Sequence, residues 1–110
     1  MRDRKESTIH LTGRPPIRIV EDDWPVIARA VWPKDQPEKS RDRAYVRVRE
    51  HEDGRAIVYG LRSFSGEADL RAGIVVEGDI DDLFAAIETV CGAVGISAQE
   101  VFDNLPPEEV

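Results

Sequence analysis

The sequence predicts an α+β domain, an antiparallel sheet of four to five strands followed by two C-terminal helices packed on one face. Three observations carry this reading. Alternating apolar runs flank Asp53-Gly54 in VRVREHEDGRAIVYGL, the strongest short signal for a β-hairpin. Apolar residues recur at helical spacing from Ile80 to Val94, between an acidic start and Gly95. All of the strand-like text precedes all of the helical text.

Taken in order, residues 1–13 are polar, charged and without periodicity, and read as a flexible N-terminal arm. Residues 14–105 read as a single domain, and 106–110 as an exposed tail. After Pro15-Pro16, Ile17 and Ile19 alternate with Arg18 and Val20, giving a short first strand that stops at Glu21-Asp22-Asp23. The stretch WPVIARAVW, residues 24–32, fits two periods. As a helix capped by Asp23 it lines up Trp24, Ile27, Ala28 and Val31; as a strand it puts Val26, Ala28, Ala30 and Trp32 on one side. Its β-branched residues and two tryptophans favour the strand. Residues 33–42, with two prolines and almost nothing apolar, form a loop.

A two-residue Asp53-Gly54 loop pairs Val48 with Tyr59 and Val46 with Leu61. It gathers Val46, Val48, Ile57, Tyr59 and Leu61 on one buried face. Slipping by one residue would set Val46 against Gly60 and Arg47 against Tyr59 and bury less, so the first register is the expected one. It leaves Tyr45, Arg47, Arg49 and His51 on a wet face. Residues 65–69 turn, and Leu70–Glu77 is the last strand. Asp79 then caps a helix whose first turn holds Asp81 and Asp82, and Gly95 ends it. Ser97 and Glu100 form a capping box for a second helix, Ile96 staples onto Val101, and Pro106-Pro107 stops the chain after Leu105.

A chain of 110 residues fits one domain with one modest core. The single cysteine, Cys91, excludes an intrachain disulfide and suits a reducing, cytoplasmic setting. No apolar run approaches the ~18 residues that span a bilayer, and the first residues lack the apolar centre of a signal peptide. Charge is uneven: residues 1–62 hold 14 Lys/Arg against 11 Asp/Glu, whereas residues 63–110 hold only Arg71 against 11 acids. This asymmetry points to a protein partner with a basic surface for the C-terminal part, and disfavours nonspecific DNA binding by the whole chain.

Chemical motifs are scarce. Two histidines, His10 and His51, and one cysteine do not supply a zinc ligand set. The acids of 77–82 lack the spacing of a calcium loop and suit a helix start. Cys91 lies on the apolar stripe of its helix, Ser63 and Ser65 lack a nucleophile elbow, and no phosphate-binding glycine loop occurs. No catalytic residue, metal site or cofactor is expected. The expected function is binding: Glu77, Asp79, Asp81, Asp82, Glu88, Glu100 and Asp103 form an acidic helical side that meets a basic protein surface. A second expectation is nucleic-acid binding through Tyr45, Arg47, Arg49 and Arg62. An enzyme of unrecognised type is the third reading. Trp24 and Trp32 suggest a homodimer through a sheet edge or face.

In DDWPVIARA, VREHEDGRAIVYG and the closing LPPEEV the chain resembles small uncharacterised proteins that accompany bacterial plasmids and other mobile elements. The resemblance covers most of residues 15–110 and carries no catalytic residues. It implies accessory work for a mobile element, such as interfering with a host defence complex by presenting DNA-like negative charge to a basic groove. The net-positive strand half departs from a whole-molecule mimic.

Overall fold

The computed structural model describes residues 4–34 and 41–107. Six strands precede two helices: β1 (Glu6–Leu11), β2 (Arg14–Val20), β3 (Val26–Trp32), β4 (Arg43–Glu50), β5 (Ala56–Ser63), β6 (Leu70–Val76), α1 (Ile80–Val94) and α2 (Ala98–Asn104). Strands β3-β4-β5-β6 form an antiparallel meander, and β1-β2 form a separate two-stranded sheet. The α+β fold is therefore as expected, and 24–32 is strand at its centre. The arm expected at 1–13 is a correction: residues 6–11 form a strand. Its apolar Ile9 and Leu11 alternate with polar neighbours, and the Thr12-Gly13 turn, with Gly13 at φ +72°, returns the chain into β2. Residues 35–40 of the expected loop and 108–110 of the expected tail lie outside the described residues.

The β4-β5 register is the second correction. Val46 stands opposite Gly60, Arg47 opposite Tyr59 and Val48 opposite Val58. The cause is the turn. The His51 N–H donates to the Arg55 carbonyl, and the Gly54 N–H donates to the His51 carbonyl. Three residues, Glu52-Asp53-Gly54, thus make the loop, with Gly54 at φ +96° in its bulge position. One added loop residue turns every β5 side chain to the other face.

Two cores result, one on each side of the meander. Ala28, Ala30, Val46, Val48, Val58 and Val76 meet Leu83, Ile87, Val90, Cys91 and Val94 of α1, together with Ile96 and Val101. On the opposite side Ile57 and Tyr59 meet Ile9 and Ile19 of the β1-β2 hairpin. Val46 and Val48 lie beneath the helix as expected, but Tyr59 lies under the hairpin. Glycines permit both contacts: Gly60 admits Val46 and Val90, and Gly73 admits Leu11, whose Cδ2 stands 2.6 Å from where a Cβ would be.

Helix α1 begins with a reciprocal box. The Asp81 and Asp82 N–H groups donate to the Asp79 carboxylate, and the Asp79 N–H donates to Asp82 Oδ2. Gly78 leaves room for it, since a Cβ there would stand 1.7 Å from Asp82 Oδ2. Gly95 closes the helix in the left-handed region at φ +81°. The box expected for α2 is corrected: the Ser97 side chain makes no capping hydrogen bond, and Glu100 pairs instead with Lys34 at 3.0 Å. No helix among the described residues is long and apolar enough to cross a membrane.

Each edge strand of the meander also takes hydrogen bonds from outside the sheet. On β3, the Arg29 carbonyl accepts from Asn104 Nδ2 of α2. On β6, Arg71 is bracketed by Thr12, whose N–H donates to the Arg71 carbonyl and whose Oγ1 accepts from the Arg71 N–H; Arg14 Nη1 donates to the Gly73 carbonyl.

Candidate functional site

Strand alternation decides which charged residues share a surface. Tyr45, Arg47 and Arg49 point to the hairpin side, in rows with Leu61, Tyr59 and Ile57. Arg62 stands opposite Ala44 on the helix side, beside Gly95 at the end of α1. There it packs over Phe64 at 4.4 Å and pairs with Glu67 at 3.6 Å. The expected four-residue aromatic and cationic face is thus split: Tyr45, Arg47 and Arg49 come together, and Arg62 does not join them.

The hairpin converts what was expected to be an open wet face into a cleft. Ser7, Glu21, Tyr45, Arg47, Arg49 and Arg71 line a cavity of about 160 Å³ between β1 and the meander. Arg71 enters because β6 places it in the Tyr45–Leu61 row. Arg47 lies over the Tyr45 ring at 4.4 Å. Arg49 is fixed: its Nε donates to the Tyr59 hydroxyl at 2.8 Å and its Nη1 to the Trp24 carbonyl at 2.9 Å. Glu21 accepts a hydrogen bond from the Ser7 hydroxyl and has Lys5 Nζ at 3.5 Å. The Ser7 bond, opposed by desolvation and aided by Lys5 and Arg49, holds the Glu21 carboxyl below its ordinary range. Ser7, Glu21 and Arg71 were not among the expected site residues; they come from three segments distant in sequence.

The acidic residues divide between two places. Glu77, Asp79, Asp81 and Asp82 surround the start of α1, with Asp79 and Asp82 occupied in its cap. Glu88 stands exposed farther along that helix. Glu100 and Asp103 belong to α2, where they border a cavity of about 380 Å³ with Arg29 and Lys34. Gln99 Nε2 donates to Asp103 Oδ1. Neither helix contains a Lys or Arg, and of these seven acids only Glu100 has an ion-pair partner among the described residues. No group of three or more metal-ligating side chains occurs among the described residues.

The remaining singled-out residues have structural surroundings. His51 Nδ1 accepts from the Asp53 N–H at 3.2 Å, and its ring packs against Trp24, ring centroids 4.9 Å apart. Trp32 is 48% exposed and stacks on Phe64. Cys91 is buried in the helix-side core. Desolvation, with the Glu100 charge adding to it, pushes its thiol pKa up to about 11, the opposite of an activated nucleophile. The chain matches no protein-family model, no curated protein and no solved structure.

Proposed function

We propose that the protein is a small acidic binding module, working by association rather than catalysis, whose helical layer engages a basic surface of a protein partner. The observation that carries this reading is the one-sided charge of that layer. Asp81 and Glu88 stand exposed on α1, no cation lies on either helix, and residues 72–110 contain no Lys or Arg. Such a field raises the encounter rate with a basic patch and discourages acidic partners. The resemblance to mobile-element proteins supplies a setting, an accessory or inhibitor acting in the cytoplasm. The basic cleft on the opposite side favours contact through one face over mimicry by the whole molecule. Trp32, exposed at the end of β3, is the contact we assign to any homodimer.

The test is capture from bacterial lysate at low salt, comparing the wild-type chain with the Asp81→Lys, Glu88→Lys double variant. Asp79 and Asp82 stay unchanged because they hold the start of α1. A basic protein captured by the wild type and lost by the variant supports the reading. Equal capture by both removes the helical layer from it.

A further inference from the structure

The cleft beneath β1 holds more positive charge than the fold uses. Three guanidinium groups, Arg47, Arg49 and Arg71, line it, and Glu21 is its one carboxylate. Glu21 is already engaged by Ser7 and Lys5. Arg49 uses two of its five N–H donors on Tyr59 and Trp24, which fix its guanidinium in the cleft. Neither Arg47 nor Arg71 has a carboxylate at ion-pair distance among the described residues. His10 also lines the cleft; with histidine counted as neutral, three arginines less one glutamate give the cleft a formal net charge of +2, in a chain whose net charge on the same count is −7. Like charges gathered in a partly desolvated cleft repel one another unless an anion shares the space.

We propose that this cleft binds the phosphate group of a small phosphate monoester. The charge matches, since a monoester carries about −1.5 to −2 near neutral pH. The donors match too, because planar guanidinium groups bond phosphate oxygens in pairs. Size sets the class. A cavity of about 160 Å³ lies well below the roughly 300 Å³ at which pockets enclose whole drug-sized molecules. It takes the headgroup and leaves the rest of the ligand outside. β1 closes one side, so a continuous nucleic-acid strand would have to thread beneath it, and each diester brings a single charge. The proposal rests on the cleft alone and stands or falls independently of the acidic helical layer.

The test titrates inorganic phosphate, and separately phenyl phosphate, into the full chain at constant ionic strength made up with sodium chloride. ¹H–¹⁵N spectra that include the arginine Nε–H groups follow binding. Saturable shifts concentrated at Ser7, Tyr45, Arg47 and Arg71 are expected. Arg47→Gln and Arg71→Gln should each weaken binding by roughly 10-fold or more. Arg18→Gln, on the outer side of β2, should leave it unchanged. Arg47 and Arg71 support no ion pair, so the variants keep the fold, and their spectral dispersion verifies this; should one lose it, the other is read. Shifts no larger than those of the chloride control overturn the proposal, as do cleft variants that respond like the wild type. Displacement of phosphate by an oligodeoxynucleotide lacking terminal phosphates, at equal phosphate-group concentration, also overturns it, because a strand would then be the ligand.

Discussion

Gly60→Ala tests the packing on which both surfaces depend. In the observed register Gly60 faces the helix side of β5, opposite Val46. An added Cβ would stand 2.5 Å from the Tyr45 carbonyl oxygen, 3.1 Å from Val46 Cγ2 and 3.4 Å from Val90 Cγ1. The first contact is the costly one. An ordinary carbon–oxygen approach is about 3.3 Å, so the overlap is about 0.8 Å, against a main-chain atom within the sheet. Overpacking a core costs about 1–3 kcal/mol, and a backbone collision belongs at the upper end. At roughly 2.1 cal/mol/K of unfolding entropy per residue, a loss of about 3 kcal/mol lowers Tm by about 13 °C. Urea unfolding followed by far-UV circular dichroism reads the same loss as a lower midpoint at unchanged slope. In the alternative register Gly60 would face Arg47 and solvent, and alanine there would stabilise by about 0.4–1 kcal/mol through the unfolded chain. A variant as stable as the wild type, or more stable, refutes the register and with it the cleft.

Two further predictions bear on the hairpin. Ile9→Ala removes a side chain only 6% exposed and should cost about 2–4 kcal/mol by urea denaturation, whereas an unattached arm predicts no change. Ser7→Ala should return the Glu21 carboxyl toward its ordinary value of 4.5, read by carboxyl-carbon NMR titration. Because the folded pKa is the lower one, the Ser7 contribution is present above pH 4.5 and is lost as pH falls through the depressed value. The variant should therefore lose part of the acid sensitivity of the wild type, and an unchanged Glu21 titration contradicts the hydrogen bond.

Local chemistry made the elements legible. Asp79 and Gly95 bracket α1, and Asp53-Gly54 mark the β4-β5 turn, because caps and turns are set by residues a few positions apart. Register was not legible. Two-residue and three-residue loops both accept Asp-Gly, and the choice moves Tyr59 from the helix side of the sheet to the hairpin side without changing which stretches are strands. β1 escaped detection because ESTIHL offers few apolar residues; the signal present was Thr12-Gly13 between the alternating pairs Ile9/Leu11 and Ile17/Ile19. Tyr45, Arg47 and Arg49 could be grouped from one strand's alternation. Their meeting with Ser7, Glu21 and Arg71 depends on where β1 and β6 dock, which no short stretch encodes. Arg62 was misgrouped for the same reason as Tyr59, a single step of register.

Both flanks of the meander end in hydrogen bonds that a newcomer would have to break: Asn104 on Arg29, and Thr12 and Arg14 on Arg71 and Gly73. Those stretches of the meander edge are thereby poor templates for intermolecular ladder growth of the cross-β kind. Strand addition at Arg29, Arg71 or Gly73 requires the short C-terminal helix or the Thr12 turn to detach first, so pairing at those positions should follow the local opening of these two segments.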